Sequence, residues 1–491
     1  MTFPDSNRLT LFSVPGVVPS IIARLSIESL LILWLATTPL ASFYLRFPQE
    51  RSILTYDRAV FALIGLMLLM KWRRMAANHL DGFPTPSFLI ATRFEVAWGL
   101  LAIVALVSAV VEANNFTYAT KIAVDSFCLP LLAFHVARHH MDVRKRAGAL
   151  ALSLIWLAWF LFATGAFEFV TGVNLFPYKG SELLREGERR VNGPFAADSS
   201  YAIICLLIAL FSLVMPRVLR LRFDTSGRLV YAGALATGVV AALLPLFRSV
   251  ALALIICWAI VEIGLAKQRA AEGTDGDQEN MDVSSVLPSS LRADSLTQTR
   301  LIVFVVLAVA VVVAQILPGT VRFESRLADP RNVYGRLATW QAGAELALEN
   351  PLFGVGLTNY TDYYNQRYNP SGETEEFFLD TRAADSPHSN PLWIVAELGM
   401  IGSVLYLAAN AYMLLLGYRA LKKAGDERQR AAAIGYLALV LAYWIPGLTL
   451  ASGSYSDLNL YFFFMLGALS NRPLRPDIER SISHGIRGDG H

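Results

Sequence analysis

The organisation of this chain is decided by the polar segment 318–388, together with the start of the apolar run that follows it. The segment contains GRLATW at 335–340, NPLFGVG at 350–356 and HSNPLW beginning at 388, and ELGMIG follows at 397–402. The sequence on both sides is mostly hydrophobic. Because the polar side chains that could carry out chemistry are concentrated here, we predict that the functional site lies in this segment.

The composition places the chain in a lipid bilayer. Of its 491 residues, 55% are apolar and 16% charged, whereas soluble proteins typically carry about 25% charged residues. The net charge of +3 gives no strong field, so we predict membrane lipids and no nucleic acid as surroundings. The three cysteines lie within apolar runs and show neither a disulfide framework nor metal-type spacing, so we assign them to packing.

Apolar runs of about twenty residues, long enough to cross about 30 Å of hydrocarbon, occur along the whole sequence. They predict an all-α polytopic membrane protein with about 12 transmembrane helices and a large exoplasmic loop between spans 9 and 10. We place the spans near 26–45, 57–72, 93–112, 118–138, 147–170, 198–216, 229–246, 248–266, 300–317, 389–417, 431–451 and 456–470.

The distribution of Lys and Arg predicts the orientation, since short cytoplasmic loops retain them preferentially. With the N-terminus inside, every second loop is basic, including 71–74, 138–146, 217–228 and 419–430. Both termini are then cytoplasmic and segment 318–388 faces outward. The first apolar run has no cleavage signature close behind it, so we expect it to be a retained span.

We divide the chain into four parts. Residues 1–197 form spans 1–5 and an outer loop, and residues 198–417 form the core, with a cytoplasmic linker at 267–299 and the exoplasmic loop 318–388. Residues 418–470 form the last spans and 471–491 a disordered tail. The linker is assigned as disordered because GTDGDQEN at 273–280 and its surroundings hold almost no large apolar residues.

Three arginine sites fall on the predicted outer face. They are Arg189 and Arg190 within ERRVNG, Arg248 within FRS, and Arg336 within GRLATW. Arg248 lies between two apolar runs, where an unpaired charge costs about 2–3 kcal/mol at helix-centre depth and less near the interface. It either extends to lipid headgroups or lines a cavity that receives an anion. Arginines converging from separate elements suit a phosphate or diphosphate, which the guanidinium binds bidentately.

His388 is the one histidine of seven that this topology places outside. It precedes Ser389, Asn390 and Pro391, a sequence typical of a helix start. A neutral imidazole can take a proton from a hydroxyl, so His388 is either a general base or a structural residue. A metal site would need partner ligands, and the outer loop offers no second His or Cys and no paired carboxylates. We therefore predict neither metal nor cofactor.

Residues 336–349 are predicted to form a short helix with an apolar stripe of Leu337, Trp340, Ala344 and Leu348. The stripe is interpreted as packing or interfacial seating with Trp340 as anchor. A platform for a sugar is the alternative.

The arrangement of these motifs resembles the O-antigen ligase and O-antigen polymerase superfamily. The resemblance covers about 189–402 and consists of an outer Arg, a small-residue turn with another Arg, G-R-x-x-x-W, N-P-x-x-G-x-G and H-x-N-x-x-x-x-x-x-E-x-G-x-x-G. In place of an expected Asn-Pro-Asn-like stretch, the chain has GPFAADSS at 193–200. Its cytoplasmic linker is also longer than the resemblance requires.

The resemblance implies a metal-independent glycosyltransferase of the bacterial inner membrane with a periplasmic active site. The donor would be a glycan linked to undecaprenyl diphosphate, and the acceptor a hydroxyl of lipid A-core or of a growing polysaccharide. His388 would be the general base. Arg190 and Arg248 would bind the diphosphate, with Arg189 a less favoured substitute for Arg190, and Arg336 would position substrate. Asn390 and Glu397 are possible further contacts.

Two other classes of protein remain open. A twelve-span transporter or flippase for an anionic glycolipid would use the same arginines, although transporters usually place such charges near the bilayer midplane. A purely structural membrane protein leaves the outward arginines unexplained.

Overall fold

The computed structural model describes residues 26–44, 55–78, 91–176, 191–221, 225–245, 247–276, 331–368 and 386–471. Within these ranges the chain forms helices and their connections, with no strand. Arg189, Arg190, the predicted ninth span 300–317 and the tail 472–491 lie outside them.

Thirteen helices are named here in chain order. They are α1 (Ile27–Tyr44), α2 (Tyr56–Asn78), α3 (Arg93–Val111), α4 (Phe116–His140), α5 (Ala147–Thr171), α6 (Asp198–Leu219), α7 (Thr225–Leu243), α8 (Arg248–Gly276), α9 (Arg331–Glu349), α10 (Tyr360–Tyr368), α11 (Asn390–Lys422), α12 (Glu427–Gly447) and α13 (Ser456–Leu469). Helix α4 contains one π-helical turn at Val124–Cys128.

Among the described residues, eight helices are long and apolar enough to cross a membrane, namely α3 to α8, α11 and α12. The shorter apolar helices α1 and α13 match two further predicted spans in position. The predicted all-helical, multi-pass architecture is therefore confirmed. The count of twelve stays a prediction, because α2, at the second predicted span, is not among the helices that meet this measure and the region of the ninth predicted span is not described.

The main core is a cluster of apolar side chains around α6 and α13, which are buried along most of their length. A second, smaller cluster packs α9 and α10 against α11. Helix α13 packs on α4, α12 packs on α6 and α8, and α11 packs on α3. Other helices turn an apolar face outward. In α3 this face is a stripe at helical spacing formed by the exposed residues Val96, Leu100, Ile103, Val107 and Val110. Such a stripe suits contact with lipid.

The two ends of the bundle differ in what they hold. One end, called here the loop end, carries the connection 112–115 in contact with segment 350–362, where Asn114 N donates to Asn359 Oδ1 at 2.9 Å. The opposite end carries Glu95 and the end of α4. Successive helices alternate in direction, so the turn 191–197, the start of α8 at Arg248 and the start of α11 all lie at the loop end.

Helix α8 extends to Gly276, so the first residues of the predicted linker 267–299 are helical. Its sequence there, AKQRAAEG, consists mainly of good helix formers. Residues 277–299 are outside the described ranges.

The helix predicted at 336–349 is present as α9. Packing, one interpretation of its apolar stripe, is wrong for three of the four residues, while interfacial seating and a sugar platform stay predictions. Leu337, Ala344 and Leu348 are exposed and Trp340 is half-buried. The packed face instead contains Thr339, Ala342, Gly343 and Leu346. The small residues allow close approach, since a Cβ built on Gly343 would lie 3.2 Å from Pro387 Cβ.

Candidate active site

Helix α11 is broken at Gly399, whose backbone is non-helical with φ 61° and ψ −160°. A break leaves backbone N–H and C=O groups without partners in their own helix. Segment 351–356 supplies those partners. The carbonyls of residues 351 and 352 accept from the N–H groups of residues 400 and 401, and the N–H groups of residues 355 and 356 donate to the carbonyls of residues 396 and 397, all at 2.8 to 3.3 Å.

Glycine is required on both sides of this junction. A Cβ on Gly399 would lie 2.4 Å from the Leu352 carbonyl carbon and oxygen, and one on Gly354 would lie 2.5 Å from the Glu397 carbonyl carbon. Both glycines also have positive φ, which other residues adopt only with strain. The N-P-x-x-G-x-G and E-x-G motifs are therefore two halves of one backbone-to-backbone contact.

The Glu397 side chain fastens the same junction and is 2% exposed. Its Oε2 accepts from the indole N–H of Trp393 at 2.8 Å and from the backbone N–H of Thr358 at 2.9 Å. Thr358 itself has φ 69°, a conformation stabilised by this bond. The contacts of Glu397 thus position the loop, and its predicted part in substrate binding stays a prediction.

His388 stands immediately before α11 in a left-handed backbone conformation, with φ 46°. Its carbonyl accepts from the indole N–H of Trp340 at 3.4 Å, and its N–H donates to Ser386 Oγ at 3.4 Å. The side chain is half-buried. As predicted, the helix starts at this point, with Pro391 in the first turn, although neither Ser389 nor Asn390 forms a side-chain cap.

Asn390 attaches the start of α11 to the turn between α12 and α13. Its Nδ2 donates to Ser452 Oγ at 2.9 Å, and its Oδ1 accepts from Gly453 N at 2.8 Å. The side chain is 3% exposed. It therefore fixes the backbone two residues after His388, and substrate contact by Asn390 stays a prediction.

Arg336 is half-buried on α9, one helical turn before Trp340. Residues four apart lie on the same helix face, and Trp340 contacts the His388 backbone. The structure thus brings the helix that carries Arg336 against the segment that carries His388.

Arg248 is exposed at the first position of α8, at the loop end. Arg189 and Arg190 lie outside the described residues, whereas the turn 191–197 that follows them lies within them. Glu168 of α5 holds it, because its Oε2 accepts from the backbone N–H groups of Asn192 at 3.1 Å and Gly193 at 2.7 Å.

Sequence reasoning missed Glu168 and the loop-positioning bond to Thr358. A carboxylate within the apolar run 147–170 was the available signal for Glu168, since such a residue is costly in a membrane unless it has a role. No sequence signal marks Thr358, whose backbone, rather than its side chain, makes the contact.

Residues 191–407 match the family model described as O-antigen ligase. No curated protein sequence matches the chain. The match includes the turn 191–197, Arg248, α9, the loop that fills the α11 break, and His388, while Arg189 and Arg190 directly precede it. It confirms the resemblance to the O-antigen ligase and polymerase superfamily predicted from the sequence, and it implies a glycosyltransferase-type enzyme acting on lipid-linked glycans.

Proposed function

We propose, from the O-antigen ligase match over residues 191–407, that this protein transfers a glycan from undecaprenyl diphosphate to an acceptor hydroxyl. The acceptor is lipid A-core in a ligase or the end of a growing polysaccharide in a polymerase. The observation that supports the proposal most directly is the placement of His388. Its backbone is bound by Trp340 of the helix that carries Arg336, at the bundle end where Arg248 begins α8.

In the proposed reaction the His388 imidazole accepts the proton of the acceptor hydroxyl. The acceptor oxygen then bonds to the anomeric carbon of the donor sugar as the bond from that carbon to the diphosphate oxygen breaks. Undecaprenyl diphosphate leaves with the electron pair, and attack from the opposite face inverts the anomeric centre. Arg190, Arg248 and Arg336 neutralise the charge that develops on the leaving group, which preorganised cations do effectively in a site shielded from water.

The same proposal sets the orientation. The end of the bundle opposite the loop end carries the basic residues Arg144, Lys145, Arg146, Lys422, Lys423 and Arg430. By the positive-inside rule this end is cytoplasmic, so the loop end and His388 face the periplasm of a bacterium. Both termini are then cytoplasmic and the protein resides in the inner membrane.

One observation favours the alternative of a transporter or flippase. Transporters form binding sites at discontinuous helices, where free backbone groups meet the substrate, and α11 is discontinuous at Gly399. Here, however, segment 351–356 of the same chain already satisfies the backbone groups on both sides of the break. The break therefore serves to dock the loop onto α11, and its backbone groups are not free to bind a transported substrate.

The test is complementation of cells that lack the protein with wild type, His388→Ala or Arg367→Ala at matched membrane levels. Arg367 is an exposed control from the same loop, paired with Glu349. We expect His388→Ala to lower finished polysaccharide by about 100-fold or more, with carrier-linked glycan accumulating on the periplasmic face, and Arg367→Ala to act as wild type. Normal product from His388→Ala would refute the general base, and accumulation on the cytoplasmic face would favour the transporter.

A further inference from the structure

A second group of chemically active side chains lies at the other end of the bundle from His388. Glu95 Oε1 is 2.7 Å from His135 Nδ1 and 3.6 Å from His139 Nε2. One ligand atom from each of the three residues can be chosen so that all lie within 4.8 Å of one another. Glu95 lies thirteen residues before Ser108, which contacts the loop end, so the group is about 20 Å from that end at 1.5 Å per helical residue.

The sequence fixes each of the three positions. Thr92 and Glu95 form a capping box that begins α3, in which Thr92 N donates to Glu95 Oε2 at 2.6 Å and leaves Oε1 directed to the histidines. His135 and His139 are four residues apart on α4 and therefore share one helix face. Their rings lie 4.6 Å apart, measured between centroids.

The buried ring of His139 has no hydrogen bond that explains its position. Its side chain is 2% exposed, and neither ring nitrogen has a hydrogen-bond partner. The 3.6 Å separation from Glu95 Oε1 is too long for a hydrogen bond. Buried polar atoms in proteins are nearly always satisfied, so an imidazole buried beside a carboxylate and a second imidazole indicates a bound group between them.

We propose that Glu95, His135 and His139 bind one Zn²⁺ ion. Two imidazoles and one carboxylate are a common zinc ligand set, with bonds of about 2.0–2.2 Å and water in the fourth position, and His pairs four apart on a helix are used for zinc. Calcium and magnesium prefer oxygen ligands, so two imidazole nitrogens favour zinc over them. The ion clamps α3 to α4. The Glu95 carboxylate supplies the negative charge that offsets part of the charge of the ion.

This site was not expected from the sequence, which predicted no metal. The predicted fourth span stopped at 138 and placed His139 in a loop, whereas α4 continues to His140. The added residues bring His139 onto the same face as His135. The site is independent of the proposed glycosyltransferase reaction, because its residues lie at the other end of α3 and α4.

The experiment measures metal content in purified full-length protein in detergent. The protein is stripped with EDTA, incubated with Zn²⁺, desalted and analysed by mass spectrometry for zinc, and Co²⁺ loading is followed by its visible absorption. We expect about one zinc per chain, a rise in melting temperature on zinc loading, and the intense absorption of tetrahedral cobalt. Wild-type protein that retains no zinc above the buffer level would overturn the proposal.

Variants assign the ligands. His139→Ala and His135→Ala are each expected to lose most of the retained zinc, whereas His140→Ala, the matched control on the next residue, retains it. His135 is the more exposed of the pair, so His135→Ala tests the ligand set even if His139→Ala fails to fold. Equal zinc loss in His140→Ala, or full retention in His135→Ala, would refute the assignment. His388→Ala is expected to retain zinc, which separates this test from that of the catalytic proposal.

Discussion

The Glu168 carboxylate oxygen Oε2 lies 2.7 Å from the backbone nitrogen of Gly193, and the N–H of Gly193 donates to it. Through this bond helix α5 holds the turn that follows Arg189 and Arg190 at the loop end. Gly193 has φ 53°, and a Cβ built on it would lie 2.5 Å from the Tyr201 ring. The turn 191–197 therefore has little freedom to rearrange, and Glu168 fixes its position at the loop end.

Replacing Glu168 tests this role. Glu168→Ala leaves two buried N–H groups without an acceptor, at a cost of about 1–3 kcal/mol each, so we expect a lower melting temperature and a raised KM for the donor. Glu168→Gln keeps an oxygen acceptor, so its melting temperature and its KM for the donor should stay close to those of the wild type. Thermal unfolding in detergent and transfer assays measure the two effects. Equal behaviour of the two variants would show that the acceptor oxygen is not what holds the turn.

A methyl group at the α11 break should be severely destabilising. In Gly399→Ala the new Cβ would lie 2.4 Å from the Leu352 backbone at positive φ, and backbone strain of this kind costs about 1–3 kcal/mol before the clash is added. The matched control is Gly148→Ala, where no atom lies within 4 Å of the new Cβ and alanine favours the helix. The melting temperatures of purified Gly399→Ala and Gly148→Ala are compared, and equal values would contradict the prediction.

The indole N–H of Trp340 should matter for turnover. Trp340→Phe keeps an aromatic ring but removes the donor to the His388 carbonyl. Since that bond helps to hold the backbone of His388, the proposed general base, we expect kcat to fall several-fold with little change in stability. Trp156→Phe is the control, because it removes a comparable indole N–H bond, to the Ala36 carbonyl at 3.0 Å. An equal loss of kcat in both variants would argue against a positioning role for Trp340.

Charge alone should not replace Arg336. Lysine keeps the positive charge but lacks the planar fork that binds two phosphate oxygens at once, so we expect Arg336→Lys to lower transfer by about 10-fold and Arg336→Ala by more. Arg367→Lys on the exposed ion pair with Glu349 should change little, since surface pairs contribute about 0–1 kcal/mol. Wild-type transfer by Arg336→Lys would exclude bidentate binding.

Hydropathy predicted the helices well because crossing a bilayer imposes long apolar runs, and helix starts such as Thr92 and Pro391 carry local signals. The packed face of α9 was not predictable in the same way. Its hydrophobic periodicity pointed to Leu337 and Leu348, but Pro387 packs instead against Gly343, whose lack of a side chain lets it approach. Periodicity measures hydrophobicity and carries no information on how closely two backbones can come together.

The sequence predicted His388 as a site residue because its motif precedes a helix start. The match over 191–407 includes this position, and its catalytic role stays a prediction. The hydrogen-bond partners of Glu397 and Glu168 could not be predicted from the sequence, since both carboxylates accept from backbone N–H groups of distant loops. Any residue type offers such a group, so the sequence does not mark it.

The broken helix α11 also has a consequence for biogenesis. Residues 351–356, which complete the hydrogen bonds around Gly399, precede that glycine in the chain and are therefore synthesised before it. A helix entering the bilayer with unpaired carbonyls and N–H groups would be penalised by the hydrocarbon. Here the nascent chain already holds the segment that satisfies them, so membrane insertion of α11 and docking of its loop can proceed as a single step.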